Sequence, residues 1–178
     1  MFTARCSANG SERKIKYLQS SMTEMPLPSE SVDCLWVQES LVHCNDKEKA
    51  VKEFFRILKH GGKIVFEDIT LLSSRFKKEV EAVFEKGGHI KNFLTPVQYK
   101  RIFVKEGFVL NKFKNLSKHL LFTYQYELIA LREKKNTIRK KVPNELLDFF
   151  NSDFFRPQKI QLVKKKKFGC IAMVFDKP

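Results

Sequence analysis

Residues 20–68 decide the fold: SSMTEMPLPSESVDCLWVQESLVHCNDKEKAVKEFFRILKHGGKIVFED. The apolar run SVDCLWV at 31–37 predicts a strand buried on both faces, with Trp36 in the core. A second run, KIVFEDI at 63–69, predicts another strand. Between them a helix is predicted to begin at Asn45, with Glu48 completing a capping box, and to end at Gly61-Gly62. Strand, helix and strand form a βαβ unit, which predicts a parallel pair with a right-handed crossover.

Polar side chains gather where these two strands end. In an open α/β sheet, ligands bind in the crevice at the carboxyl ends of the strands. The sequence therefore predicts a ligand crevice at this rim, although for Glu67 and Asp68 helix capping and loop solvation are favoured over catalysis. The polar residues at the rim are Gln38, Glu39, Ser40 and His43 after the first strand, and Glu67 and Asp68 after the second.

The remainder of the chain alternates helical and strand-like patterns. Residues 1–13 are expected to be loose. Thr95-Pro96 predicts a helix start with a capping box completed by Gln98. Strands are predicted at 14–20, at FVLNKF (108–113) and at 169–175, and further helices at 72–86, 115–141 and 144–155. One domain over residues 1–178 is the simplest account, because no repeat or linker interrupts the chain.

Composition narrows the class of protein. The net charge of +14 is carried mainly by lysine and indicates a basic surface, but no nucleic-acid-binding motif accompanies it, so specific nucleic-acid binding is not expected. No apolar stretch is long enough to predict a membrane span. The four cysteines have no paired spacing, which predicts reduced thiols in a cytoplasmic protein and no metal site.

Three segments together resemble class I S-adenosylmethionine-dependent methyltransferases: MPLPSESVD, LWVQESLVH and EFFRILKHGGKIVFED. Further segments are similar to the sarcosine/dimethylglycine N-methyltransferase-like branch of that family, namely QSSMTEMPLP, FLTPVQYKRIFVKEGFVLNKFKNLSKHL and KKFGCIAMVFDK. The resemblance implies an α/β fold: an incomplete Rossmann-like sheet, mostly parallel, with an antiparallel last strand beside the third and helices on its flanks.

The resemblance also implies roles for particular residues. Ser21 and Met22 stand where relatives contact the adenine ring, and Gln38 stands near the amino-acid part or sulfur of S-adenosylmethionine. Glu39 and His43 would face the substrate, with His43 able to take a proton from an amine. Tyr124 stands where the family often has a tyrosine near the substrate. For His43, simple packing beside the helix start is an equally good explanation.

A complete domain of this class begins with a strand, a glycine-rich turn and a helix that faces the methionine carboxylate. No turn of the GxGxG type occurs in these 178 residues. The chain therefore corresponds to the C-terminal portion of the domain, with an incomplete cofactor site, and it is expected to be inactive alone. It can be a fragment, one half of a split enzyme completed by an N-terminal polypeptide, or a degenerate relative.

Two functions remain open from the sequence. The first is S-adenosylmethionine-dependent N-methylation of a small amine such as sarcosine or dimethylglycine. The alternative is a catalytically inactive methyltransferase fold that serves as a binding or regulatory protein through its basic surface. The first predicts binding of S-adenosylhomocysteine once the missing half is supplied, and the second predicts salt-sensitive binding to nucleic acid or to an acidic partner.

Overall fold

The computed structural model describes residues 2–8, 11–88, 90, 92–140 and 155–178. The strands are β1 (Phe2–Ala8), β2 (Ser11–Tyr17), β3 (Val32–Gln38), β4 (Leu58–Leu71), β5 (Val109–Asn115) and β6 (Phe168–Asp176). The helices are α1 (Lys47–Ile57), α2 (Lys77–Gly88), α3 (Pro96–Lys105), α4 (Ser117–Arg139) and α5 (Phe155–Lys164). Single 3₁₀ turns lie at Leu41–His43 and Ser74–Phe76.

The main sheet, within the described residues, has four strands in the order β3-β4-β6-β5. β3 and β4 are parallel, with Trp36 opposite Val65. β6 is antiparallel to both β4 and β5, and it lies between them. The parallel first pair and the antiparallel last strand beside the third are thereby confirmed, and so is the fold class: an α/β architecture with a mixed, incomplete Rossmann-like sheet.

Helices cover the two faces of this sheet unequally. On the first face, α1 and α3 bury a cluster that includes Phe54, Phe66, Phe103 and Phe175, and the rings of Phe103 and Phe175 stack 4.4 Å apart. On the second face, α2, α4 and α5 cover the carboxyl end of β4 and the start of β6, where Phe168 is fully buried. The rest of the second face is more open.

Trp36 lies on that open part, which corrects the expectation that it is a core residue. Its side chain is 70% exposed. Its cross-strand neighbours Val65 and Val174 are only half-buried. β3 is an edge strand of the described sheet, and no described helix covers Trp36 on this face. We call Trp36, Val65 and Val174 the open face.

The N-terminal segment also differs from its prediction. Residues 1–13 were expected to be loose, whereas β1 and β2 pair antiparallel, with Phe2 opposite Tyr17 and Ala8 opposite Ser11. The predicted strand at 14–20 lies three residues earlier and joins this separate two-stranded sheet. Pairing with a segment close in sequence satisfies the backbone groups of both strands locally.

Helix boundaries follow tertiary pairing more than local signals. The N-cap of α1 is Asp46, one residue after the predicted Asn45, and its carboxylate accepts from the Lys49 N–H at 2.9 Å. α1 ends at Ile57, before the glycines, because Leu58 is already extended and pairs with β3. The Thr95–Gln98 capping box of α3 is confirmed.

Two other helices differ from the sequence prediction. The helix predicted over 72–86 begins later, because a 3₁₀ turn precedes α2. The helix predicted over 144–155 falls outside the described residues apart from its last one. α5 begins at that residue, Phe155, and was not predicted.

Candidate active site

The carboxyl end of β3 turns sharply at Glu39, whose φ is +45°. The Glu39 N–H donates to the Glu67 carbonyl at 2.9 Å, so the ends of β3 and β4 stay together. The 3₁₀ turn follows at once, with Leu41 and Val42 fully buried beneath it. His43 remains exposed. The buried pair therefore fixes the backbone that carries Glu39 and His43.

A buried carboxylate and a buried ammonium hold this turn from below. Asp68 is fully buried, and its Oδ2 accepts from the Val42 N–H at 2.8 Å. Lys47 Nζ donates to the carbonyls of Val42 at 3.2 Å and Cys44 at 2.7 Å. Burial raises the pKa of Asp68 to about 7 and lowers the pKa of Lys47. The expectation that Asp68 is solvated in a loop was wrong, because it is fully buried; its contact with the Val42 N–H caps the 3₁₀ turn Leu41–His43 from inside the core.

A cavity of about 460 Å³ lies beside this turn and brings together three of the predicted site residues. Residues 20–23 line one side and residues 43–46 the other, so Ser21, Met22 and His43 share it. Ser21 Oγ lies 2.8 Å from Thr23 Oγ1 and accepts from the Thr23 N–H at 3.2 Å. The cavity therefore combines an apolar methionine with the hydroxyl of Ser21.

Gln38 lies apart from this cavity. Its side chain is exposed, and its Oε1 accepts from Trp36 Nε1 at 3.1 Å. Alternation along β3 places both side chains on the second face of the sheet.

Glu39 and Tyr124 are far apart in the sequence but belong to one electrostatic cluster. Burial, followed by the nearby Glu67 and Glu127 carboxylates, raises the pKa of Glu39. Burial raises the pKa of Tyr124 as well, and Glu39 adds to this effect. The His43 imidazole is near enough to favour the Glu39 carboxylate. Glu39 therefore lies within electrostatic range of both His43 and Tyr124.

Three further members of this cluster were missed by the sequence analysis: Glu127, Lys159 and Cys170. Lys159 Nζ lies 5.3 Å from the centre of the Tyr124 ring. Cys170 Sγ donates to Glu67 Oε1 at 3.0 Å. The apolar residues of α5 could have indicated a helix, but no local signal marks which of the 34 basic residues turns inward.

Among the residues that the structure describes, no group of three histidine, cysteine or acidic side chains is arranged to hold a metal ion. None of the helices that the structure describes has the length and apolar character needed to cross a bilayer.

Comparisons with known proteins agree with this geometry. Residues 1–66 match the family model described as a methyltransferase domain. The chain is 26% identical over 131 residues to a glycine/sarcosine/dimethylglycine N-methyltransferase of Actinopolyspora halophila, covering 74% of this chain and 23% of that protein. It is 26% identical over 135 residues to a sarcosine/dimethylglycine N-methyltransferase of Aphanothece halophytica, covering 76% of this chain and 48% of that protein.

Solved structures show the same fold. A putative sarcosine dimethylglycine methyltransferase from Galdieria sulphuraria superposes with a TM-score of 0.78 at 19% identity, over 89% of this chain and 57% of that one. A phosphoethanolamine N-methyltransferase 2 from Haemonchus contortus, in complex with S-adenosyl-L-methionine, superposes with a TM-score of 0.71 at 21% identity, over 89% of this chain and 36% of that one. The chain thus spans about half or less of the curated relatives that it matches here.

Proposed function

We propose that this chain is part of a class I methyltransferase domain and that it takes part in S-adenosylmethionine-dependent N-methylation of a small amine such as sarcosine or dimethylglycine. The observation that carries the proposal is the cavity between residues 20–23 and 43–46, which lies beside the 3₁₀ turn that follows the carboxyl end of β3, a strand parallel to β4. The named activities of the two curated relatives support the choice of acceptor.

The residues of this cavity fit the adenosine end of the donor. Met22 offers an apolar surface and a backbone N–H, and Ser21 offers a hydroxyl that can accept from an exocyclic amine. S-adenosylmethionine, when bound, supplies an electrophilic methyl group on a sulfonium. We assign no residue of this chain to the donor carboxylate, which the glycine-rich part of a complete domain would hold.

The acceptor amine must lose its proton before its lone pair can react. Glu39 is suited to take that proton, because its raised pKa makes its carboxylate a stronger base than an ordinary glutamate. His43, on the same turn, can accept the proton in turn or act in its place. The electron-rich face of Tyr124 can stabilise the positive charge that develops on the amine.

A complementing N-terminal polypeptide, continuous with this chain or separate, would complete the domain. The outer edge of β3 carries backbone groups able to pair with a further strand, and the open face beside it carries an exposed tryptophan. A partner that adds a parallel strand to β3 and lays a helix on Trp36, Val65 and Val174 would satisfy both features. Replacing Trp36 by Ser should then weaken the assembly at least tenfold. Val97→Ser, at a 76% exposed position on α3, should not.

The experiment adds the N-terminal polypeptide that we propose. This chain is co-expressed with the N-terminal region of the Aphanothece halophytica relative that lies outside the matching segment, both as a separate polypeptide and as a fusion. Binding of S-adenosylhomocysteine is measured by calorimetry, and methyl transfer to sarcosine and dimethylglycine is followed with a radiolabelled donor. We expect binding only in the complemented protein, together with methylation of at least one acceptor.

Site variants distinguish the assigned cofactor from the assigned role of Glu39 as a base. Glu39→Gln should reduce turnover by about 10²-fold and leave S-adenosylhomocysteine binding intact, because it removes a base and not a donor contact. Glu133→Gln, on the exposed side of α4, is the matched control and should change neither quantity. Absence of heat in every pairing would refute the assigned cofactor. Binding without methylation of either amine would refute the acceptor class.

A further inference from the structure

A second cavity, of about 580 Å³, lies at the carboxyl end of β5, the edge strand farthest from β3. The first turns of α4, the end of α5 and the segments that follow β4 and α5 line it. Its buried and half-buried lining is largely apolar, and its exposed lining is largely basic. We call it the lysine cavity. The apolar residues are Leu72, Leu121 and Val163, and the basic ones are Lys118, Lys164 and Lys166.

The ammonium groups of the lysine cavity have no counterion among the residues that the structure describes. No described acidic side chain lines the cavity, and Lys118, Lys164 and Lys166 form no ion pair with a described carboxylate. The adjacent Lys167 differs, because its Nζ donates to both carboxylate oxygens of Glu79 at 2.7 Å. Like charges around one depression repel each other and give it a positive potential, which attracts anions.

Lys166 occupies a backbone position that usually belongs to glycine. Its φ is +52°, in the left-handed region. Its N–H donates to the Val163 carbonyl at 3.0 Å, and the Lys167 N–H donates to the Leu162 carbonyl at 2.9 Å, which is the bond pattern of a Schellman C-cap. Attraction to the carbonyl end of α5 accounts for a lysine anywhere in the last turn, but not for one at the strained position. Strain at a residue that lines a cavity indicates a task for its side chain there.

The apolar part of the lysine cavity continues along the groove between α4 and α5. A neighbouring cavity of about 340 Å³ shares Lys164 with it. Leu128, Ile129 and Ile160 line this extension, and again no described acidic side chain does. The groove therefore offers a charged end, at the lysine cavity, and an apolar surface that leads away from it.

Lysine ammonium groups act on anions as point charges and suit the oxygens of a phosphate, whereas a planar carboxylate is matched by the fork of an arginine. We propose that the lysine cavity binds a phosphate monoester that carries an apolar chain. The phosphate oxygens accept from Lys118 on α4, from Lys164 at the end of α5 and from Lys166 in the turn that follows. The apolar chain lies against Leu121 and Val163 and continues into the groove.

This site goes beyond the proposed methyl transfer and is separate from it. None of the described residues that line the lysine cavity also lines the cavity between residues 20–23 and 43–46. Binding of a phosphate monoester therefore needs neither S-adenosylmethionine nor the N-terminal polypeptide. A failure of methyl transfer and a failure of phosphate binding are distinct observations.

The test titrates the full chain by calorimetry at constant ionic strength with octyl phosphate, below its micellar concentration. Inorganic phosphate supplies the anion without the chain, and octyltrimethylammonium supplies the same chain with the opposite charge. We expect octyl phosphate to bind about tenfold more tightly than inorganic phosphate, because part of its chain leaves water. Octyltrimethylammonium should give no heat of binding.

Variants assign the binding to individual lysines. Lys166→Gly removes an ammonium group and the backbone strain together, so it should bind octyl phosphate about tenfold more weakly than the wild type. It should unfold at the same or a higher urea concentration, which separates the lost affinity from a lost fold. Lys118→Gln, on the other helix, should weaken binding by a similar factor. Lys165→Gln is the matched control, since it removes the same charge from an exposed neighbour that does not line the cavity, and it should bind as the wild type does.

Vesicles of phosphatidylcholine with and without phosphatidic acid show where the phosphate comes from. Cosedimentation that needs both phosphatidic acid and Lys166 identifies a lipid headgroup, and binding of octyl phosphate without cosedimentation identifies a soluble monoester. Absence of octyl phosphate binding would overturn the proposal. Equal affinities of Lys165→Gln and Lys166→Gly would also overturn it, because general charge attraction would then explain the binding. So would tighter binding of octyltrimethylammonium, or of a short single-stranded oligonucleotide, than of octyl phosphate.

Discussion

Replacing Asp68 by Asn should remove a large part of the pH dependence of folding. Asp68 is fully buried, and its pKa in the folded protein is raised to about 7 from an ordinary 3.8. Between these values the folded state binds more protons than the unfolded state, so the free energy of unfolding falls as pH rises. Each pKa unit corresponds to about 1.4 kcal/mol, which makes the Asp68 contribution about 3 kcal/mol between pH 4.5 and pH 8.

The amide in Asp68→Asn does not titrate, so this contribution disappears. Its oxygen can still accept one of the two N–H groups that Asp68 now satisfies, those of Val42 and Ile69. The other N–H would face the amide NH₂, at a cost of about 1–3 kcal/mol that does not depend on pH. The variant should therefore be less stable than the wild type at pH 4.5. At pH 8 it should be equally stable or more stable, because the ionised wild-type carboxylate has by then lost its advantage.

The assay is urea unfolding followed by circular dichroism at pH 4.5, 6 and 8 on both proteins. Glu39, whose pKa is also raised, contributes to both proteins and cancels in the difference except for its own interaction with Asp68. Asp33→Asn is the matched control, since its exposed carboxylate pairs with Lys59 in solvent and should leave the wild-type profile almost unchanged. If the stabilities of wild type and Asp68→Asn run parallel across this range, Asp68 does not titrate as a buried acid and the reasoning is wrong.

Three simpler perturbations test the packing. Phe103→Ala should cost about 3–5 kcal/mol of unfolding free energy by denaturant titration, because the ring is fully buried, whereas the 47% exposed Val104→Ala should cost little. Thr95→Ala removes the side-chain half of the α3 capping box and should cost about 1 kcal/mol in the same assay; no measurable loss would mean that the cap contributes nothing. Burial and the Glu67 carboxylate raise the pKa of the Cys170 thiol, so a thiol reagent should label exposed Cys34 promptly and Cys170 only on unfolding; equal rates would contradict the burial.

The sequence prediction was correct where neighbouring residues alone determine the structure. The Thr95–Gln98 capping box needs only four residues, and it fixed the start of α3 correctly. The end of α1 could not be predicted from neighbouring residues, because Leu58 is extended and pairs with Val32, a partner 26 residues earlier in the chain. Asn45 and Asp46 can both cap a helix, so the sequence alone could not choose between them.

In the candidate site, too, the residues close in sequence were predicted and the residues brought together by distant helices were not. The motif that predicted Ser21, Met22 and His43 spans one loop and one turn, and the structure brings these residues to one cavity. Lys159 reaches Tyr124 only because α4 and α5 pack together over the second face of the sheet. That contact depends on the register of two helices far apart in sequence, which no spacing rule supplies.

The prediction that Trp36 lies in the core was wrong for a reason that concerns the whole chain. An apolar run indicates that a strand is buried on both faces, but it does not indicate which polypeptide buries it. Here α1 and α3 cover one face of β3, and nothing among the described residues covers Trp36 on the other. A tryptophan exposed beside a free strand edge is a poor solution for an isolated sheet and a suitable anchor for an interface. The apolar pattern of β3 therefore fits a strand that a further polypeptide covers on its second face. The exposure of Trp36 supports the complementing polypeptide that we propose.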